Sequence, residues 1–212
     1  MFMMNKIMEL KMTDKEKMLS GFPYQDFSGE LFKERLKAKN ALFEFNNMNP
    51  TNIKKRNKIL KNILGKIGND FNIEQPFRCD YGYNIYIGKN FYSNFNLTII
   101  DCAKVTIGDN CMFGPNVSIF TAGHPIHAQI RNTGYEYAFP ITIGNNVWIG
   151  GNTVVNPNVT IGNNTVIGSG SVVTKDIPSD TVAVGNPCRI IRQITDEDKK
   201  YYYKKLVFKE NI

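Results

Sequence analysis

The sequence predicts a mainly β protein, a parallel β-helix with an N-terminal α-helical region, and two observations carry that expectation. The first is a period of six. Between Ile141 and Thr174 the chain reads ITIGNNVWIGGNTVVNPNVTIGNNTVIGSGSVVT, and Ile143, Ile149, Val155, Ile161, Ile167 and Val173 share one register. Gly144, Gly150, Gly162 and Gly168 follow four of them, with Asn156 and Thr174 after the other two. An amphipathic helix repeats at about 3.6 residues and a half-buried strand at about two, so neither fits. A six-residue period is the mark of a parallel β-helix. Each short flat segment then points one branched side chain inward, and the small residue after it lets the backbone bend without a Cβ clash. Three segments complete a triangular coil, and coils stack about 4.8 Å apart. The second observation is a change of composition at Phe71, from charged stretches with helix-start signals to Ile, Val, Asn, Tyr and Gly.

Taken in order, residues 1–12 read as an extension and 13–70 as the helical region. Thr13-Asp14-Lys15-Glu16 has the form of a capping box, so a short helix starts there. It ends near Gly21-Phe22-Pro23. Ser28-Gly29-Glu30-Leu31 opens a second helix with Leu31, Arg35, Ala38, Leu42 and Phe45 on a mixed face. A third spans about 52–65, with Ile53, Ile59, Leu60, Ile63 and Leu64 as its apolar stripe and Gly65 and Gly68 at its end. Residues 71–188 read as the β-helix, in which Ile87, Ile107, Phe113 and Ile119 are further inward positions. The segment 121–140, TAGHPIHAQIRNTGYEYAFP, has no hexad order, and long loops in compact folds are commonly functional. Residues 189–212 read as a charged C-terminal tail.

Composition narrows the function. The chain has 212 residues, 42% hydrophobic and 21% charged, as an ordinary globular domain does. Its net charge of +7 is spread over helical faces (Lys33, Lys37, Lys54, Lys58) and the C-terminal end (Lys199, Lys200, Lys204), which is not a nucleic-acid footprint. Cys79, Cys102, Cys111 and Cys188 have neither metal-site nor disulfide-framework spacing, which fits reduced thiols in the cytoplasm. The opening MFMMNKIMELK lacks the apolar core of a signal peptide, and no run is long enough to span a membrane.

The only histidines, His124 and His127, both fall in the 121–140 segment. Histidine suits proton abstraction from an alcohol because it titrates near neutrality. Two local histidines without a neighbouring Cys or acidic cluster do not suggest a metal site. Neither a P-loop nor a dinucleotide fingerprint is present.

The segments NFYSNFNLTIID (90–101), GHPIH (123–127), YAFPITIGNNVWIGGNTVVNPNVTIG (137–162), GSGSVVTKDIP (168–178) and GNPCRIIR (185–192) resemble the maltose/galactoside O-acetyltransferase group of hexapeptide-repeat acyltransferases. The likeness runs from about residue 13 to about 204 in the same motif order. It implies a left-handed coil, acetyl-CoA as co-substrate, a sugar acceptor and no metal. His124 falls on the catalytic histidine and Asn94 on the asparagine beside it. Gly151 falls on the oxyanion-binding glycine and Trp148 on an aromatic of the active-site tunnel. Asp26, Asp80 and Asn94 fall on acceptor-site positions, with Asp101 added to that set. Gly151, Ser169, Thr174, Lys175, Arg189 and Arg192 fall on positions lining the CoA groove. Asp80 replaces a serine of the galactoside enzymes, and Cys102 an aspartate. The resemblance also implies a homotrimer, and a coil too narrow to enclose a substrate gives that expectation a physical ground. Two other readings remain open: the same chemistry on another hydroxyl acceptor, such as a streptogramin-type antibiotic, and a non-catalytic β-helix scaffold.

Overall fold

A computed structural model describes residues 12–27 and 29–207. Most of the expected extension, the expected helix opener Ser28 and the last five residues of the expected tail lie outside the described residues.

Among the described residues three helices come first: α1 (Asp14–Leu19), α2 (Gly29–Asn47) and α3 (Ile53–Ile63). The capping box is formed, with Thr13 Oγ1 accepting from Glu16 N at 3.2 Å and Glu16 Oε2 from Thr13 N at 2.7 Å. On α2 the expected face of Leu31, Arg35, Ala38, Leu42 and Phe45 is the buried one. On α3 the stripe begins later than expected. Ile53 is exposed, while Arg56 and Leu60 are buried and Ile59 and Ile63 pack against the core. Arg56 is tolerated inside because its guanidinium donates to Ile73 O at 2.7 Å and Pro50 O at 3.0 Å. Leu42, Phe45, Leu60 and Leu64 join the same hydrophobic cluster as the coil interior, so α2 and α3 close the coil's first end.

The coil is a prism of three parallel sheets. The first stacks Lys66–Ile67, Ile85–Ile87, Val105–Ile107, Ile141–Ile143 and Thr160–Ile161. The second stacks Asn72–Ile73, Tyr92–Ser93, Met112–Phe113, Trp148–Ile149, Val166–Ile167 and Thr181–Val184, and Arg189–Gln193 closes it as an antiparallel strand. The third stacks Phe77–Cys79, Leu97–Ile100, Ser118–Phe120, Val154–Val155 and Val172–Val173. The chain visits first, second and third sheet in turn. Its first coil strand, Lys66–Ile67, precedes the change of composition at Phe71.

Each segment buries two side chains rather than the one that the period suggests: Ile141 with Ile143, Val147 with Ile149, Val159 with Ile161. The bends also differ from expectation. Most of the residues in left-handed backbone at the bends are asparagines, among them Asn90, Asn110, Asn146 and Asn164, with φ of 53° to 57°, while Asp70, Asp180, Gly170 and Gly185 take the same conformation at others. Asparagine tolerates that region better than other side chains that carry a Cβ. Their amides form a ladder up the first–second edge: Asn90 to Asn110 at 3.0 Å, Asn110 to Asn146 at 3.0 Å and Asn146 to Asn164 at 2.8 Å. The hexad glycines serve the stacking instead. A Cβ on Gly108 would lie 2.7 Å from the Gly144 carbonyl carbon of the next coil, which is too close.

Successive coils repeat at 18 residues in the regular part, as from Asn145 to Asn163, and at 36 from Asp109 to Asn145. The excess falls within segment 121–140, at the third–first edge. It is an ordered arm rather than an irregular loop. Ala122–Gly123 and Tyr135–Ala138 pair antiparallel, and Tyr24–Gln25 adds a third strand to them. A four-residue helix, Ala128–Arg131, lies between the two.

Candidate active site

The arm and the helices meet over a second hydrophobic cluster made of Met18, Tyr24, Leu31, Tyr81, Cys102, Ala103 and Ala138. Above it a cavity of about 460 Å³ opens along the third–first edge. His124 from the arm, Asp26 from the helical region and Asp80 from the turn after Phe77–Cys79 all line it, with Arg35, Cys102 and Glu136. Phe27, Phe32, Leu36 and Phe120 supply an apolar wall. The structure thus brings three of the residues expected at the site, His124, Asp26 and Asp80, together on one cavity. His127 does not line this cavity; it is the N-cap residue of the arm helix.

His124 is 56% exposed at its side chain, and its Nε2 lies 3.8 Å from Glu136 Oε1. The other oxygen of Glu136 accepts from the buried Tyr24 hydroxyl at 2.9 Å, and Tyr24 pairs with Glu136 across the arm's sheet. Burial, with Cys102 and Glu136 close by, pushes the Tyr24 hydroxyl far above its ordinary range, so it stays a donor. Sequence reasoning missed Glu136 because nothing in the order of residues places it beside His124. Its only signal was membership of the non-hexad segment.

On the opposite wall Arg35 forms an ion pair with Asp26 Oδ1, donates to Asp26 O at 3.0 Å and to the Tyr81 hydroxyl at 2.9 Å. Burial pushes the Asp80 carboxyl above its ordinary value, opposed by the nearby Arg35 and Lys39 cations. Burial also pushes the Cys102 thiol up to about 12, so it stays neutral. That does not suit a nucleophile.

Asp101, expected among the acceptor contacts, does not reach the cavity. It is fully buried, and its Oδ1 accepts from Asp80 N at 3.0 Å and Tyr81 N at 2.8 Å. Desolvation raises its carboxyl to about 7.

The remaining expected residues lie elsewhere on the prism. Asn94, Gly151 and Ser169 lie in turns of the second–third edge, with the Gly114 turn between those of Asn94 and Gly151; Asn94 N to Phe113 O at 2.9 Å, Gly114 N to Ile149 O at 2.8 Å and Gly170 N to Gly151 O at 2.9 Å stitch the edge together. Gly151 has no room for a side chain, since a Cβ would lie 2.9 Å from Pro115 O. The Asn94 side chain caps its own turn, with Oδ1 accepting from Phe95 N at 2.8 Å. Trp148 projects from the second sheet and is 54% exposed. Thr174 and Lys175 stand exposed on the third–first edge, beyond the arm. Arg189 and Arg192 lie on the last strand of the second sheet. Arg192 is held in a two-pronged ion pair with Asp198, at 2.8 Å for both bonds. Within one chain the histidine-bearing edge and the edge carrying Gly151 and Ser169 are different edges of the prism. Among the described residues no cluster of three or more His, Cys, Asp or Glu is arranged to hold a metal. No helix among them is long and apolar enough to cross a membrane.

Comparison with known proteins accords with this layout. Residues 17–68 match the family profile described as maltose acetyltransferase hexapeptide capping motif, and residues 140–175 match bacterial transferase hexapeptide (six repeats). Residues 104–126 match the hexapeptide repeat of succinyl-transferase. The chain is 50% identical to the galactoside O-acetyltransferase of Escherichia coli K12 over 93% of its own length and 96% of that protein. It superposes on the crystal structure of a maltose O-acetyltransferase from Clostridium difficile with a TM-score of 0.86 at 54% identity, covering 87% of this chain and 99% of the other. It superposes on a galactoside acetyltransferase in complex with coenzyme A with a TM-score of 0.90 at 48% identity, covering 94% and 100%. With helices over the first end of a six-residue coil and identity maintained along nearly the whole length, this chain is an acyltransferase and belongs to the maltose/galactoside O-acetyltransferase family, whose fold is the left-handed parallel β-helix.

Proposed function

We propose that the protein transfers the acetyl group of acetyl-CoA to a hydroxyl of a sugar, with His124 as the general base. The observation that carries this reading is the convergence of His124 with Asp26 and Asp80 on one cavity. Carboxylates accept hydrogen bonds from sugar hydroxyls. The wall formed by Phe27, Phe32 and Leu36 suits the apolar face of a pyranose ring.

The imidazole takes the hydroxyl proton as the acceptor oxygen bonds to the thioester carbon. The carbonyl electron pair moves onto oxygen, where the Gly151 N–H is the donor we assign to it. Collapse of that intermediate expels the CoA thiolate, which recovers the proton from the imidazolium. Asn94 orients hydroxyl and base, since its amide both donates and accepts. Trp148, Ser169, Thr174, Lys175, Arg189 and Arg192 line the coenzyme groove, where the cations face phosphates. Those groups occupy two edges of a prism too narrow to hold a ligand inside, so we assign the complete site to the contact between protomers of a homotrimer. The four cysteines are all free and buried, which agrees with a cytoplasmic protein.

The test is thiol release from acetyl-CoA with maltose, glucose, lactose and a streptogramin as acceptors. Release with a sugar, lost in His124→Ala, is the expected result. Release with the streptogramin alone would make the acceptor assignment wrong, and no release with any acceptor would leave only the scaffold reading.

A further inference from the structure

We propose that Asp101 is a positioning residue for the acceptor site, holding Asp80 and, through Tyr81 and Arg35, Asp26 in one arrangement. The proposal rests on the reading that Asp26 and Asp80 bind the acceptor. Asp101 does not line the cavity that holds His124, yet its chain neighbours Ile100 and Cys102 both do. Its Oδ1 gathers the backbone N–H groups of Asp80 and Tyr81, at 3.0 and 2.8 Å, and its own carbonyl accepts from the Asn84 side chain at 2.7 Å. The 80–84 turn is thus wrapped around one buried carboxylate. From the turn the chain of contacts continues outward. The Tyr81 hydroxyl accepts from Arg35 at 2.9 Å, and Arg35 grips both the carboxylate and the backbone carbonyl of Asp26. The two carboxylates facing the cavity, one from the helical region and one from the coil, are in this way fixed relative to each other by groups behind it.

Stability alone gives little reason for this residue. Asp101 Oδ2 is buried without a hydrogen-bond partner among the described residues, and an unsatisfied buried carboxylate oxygen is costly. Its oxygen on the turn side does what an apolar residue cannot. It accepts two N–H groups whose directions decide where the Asp80 side chain emerges. Small displacements of a binding group cost far more in affinity or rate than in fold stability.

The experiment compares Asp101→Ala, Asp101→Asn and Tyr81→Phe with the wild type, using maltose, glucose and lactose as acceptors. In Asp101→Ala the acceptor KM should rise about tenfold or more while the KM for acetyl-CoA stays within about twofold. Asp101→Asn keeps an acceptor oxygen for the turn and should restore most of the loss. Tyr81→Phe removes only the link to Arg35, so it provides the same KM split should the alanine variant fail to fold. Hydrogen exchange of the 80–84 amides should be faster in Asp101→Ala and unchanged in Asp101→Asn. If both KM values rise together, or the amides of the alanine variant exchange as in the wild type, Asp101 does not position the site. Should the wild type acetylate none of these sugars, the sugar reading fails, while the exchange measurement still decides the role of Asp101.

Discussion

Glu136 presents one carboxylate oxygen 3.8 Å from His124 Nε2 and gives the other to the Tyr24 hydroxyl at 2.9 Å. In the proposed mechanism this carboxylate faces the positive charge that develops on His124 in the transition state. Glu136→Gln keeps a carbonyl oxygen for Tyr24 but removes the charge. We expect kcat to fall by about tenfold, the KM for acetyl-CoA to hold, and the melting temperature to move little. Steady-state kinetics with maltose check this, and an unchanged kcat would mean that the carboxylate is idle in the reaction.

His124→Ala should lower kcat/KM by about 10²–10⁴-fold, the usual worth of general-base help. The side chain is more than half exposed, so the thermal transition should be unaltered. His127→Ala should cost far less, since it lies outside the cavity. Equal losses at the two positions would contradict the assignment.

Lys175→Ala and Arg189→Ala should raise the KM for acetyl-CoA several-fold with kcat nearly unchanged, the pattern of lost uniform binding. Arg192→Ala should do less, because its guanidinium is already engaged by Asp198 on the surface. Isothermal titration with coenzyme A separates the three. A pure kcat defect at Lys175 would place that residue outside the groove.

The carboxyl of Asp101 is raised from its ordinary value to about 7, chiefly by desolvation. Between about pH 4 and pH 7 the folded protein therefore keeps a proton that the unfolded chain has released. Stability attributable to this group falls as pH rises through that window and is flat above it. Asp80, raised in the same direction, adds to the slope. Asp101→Asn should flatten the decline in melting temperature between pH 5 and pH 7.5 and raise it by a few degrees at pH 7.5. A parallel decline in both proteins would show that Asp101 is ionised throughout that range.

If each site joins the histidine edge of one protomer to the Gly151 edge of the next, two defective chains can complement. Ser169 is exposed, so Ser169→Tyr should block the groove without unfolding the coil. Trimers reassembled from equal amounts of His124→Ala and Ser169→Tyr chains should regain about a quarter of wild-type activity, the fraction of protomer contacts that pair two intact edges. Activity no greater than that of the separate variants would assign both edges to one chain's own site.

What could be read from the sequence was what repeats. Six-residue periodicity gave the coil, and the capping box with the Leu31–Phe45 face gave the first two helices. The asparagines that take the left-handed backbone were equally visible at fixed offsets, but the glycines beside them suggested the wrong reason for the bends. Half of the site was also legible, because His124 stood out as one of two histidines in a break of the repeat. Contacts between distant short segments were not. The pairing of Tyr24–Gln25 with Tyr135–Ala138 involves two residues of one strand, too few to show a period, and it is this pairing that sets Tyr24 against Glu136. The burial of Asp101 was hidden for a related reason. An aspartate at a coil corner normally faces water, and only the turn folded over it at 80–84 removes it from solvent.

The covered first end of the coil has a consequence for how these molecules coexist at high concentration. A stack of parallel strands with asparagine ladders is, in its backbone, a short length of fibril, and an open terminal coil is a template for the next chain. Here α2 and α3 pack Leu42, Phe45 and Leu60 into the core at the first end, joined by Leu64 just after α3. At the other end Arg189–Gln193 runs antiparallel to its neighbour, so one of the three sheets presents a strand of the wrong sense to an incoming parallel one. The helices ahead of the coil therefore act as plugs against end-to-end growth, and a chain shorn of them would be expected to polymerise before it lost its coil.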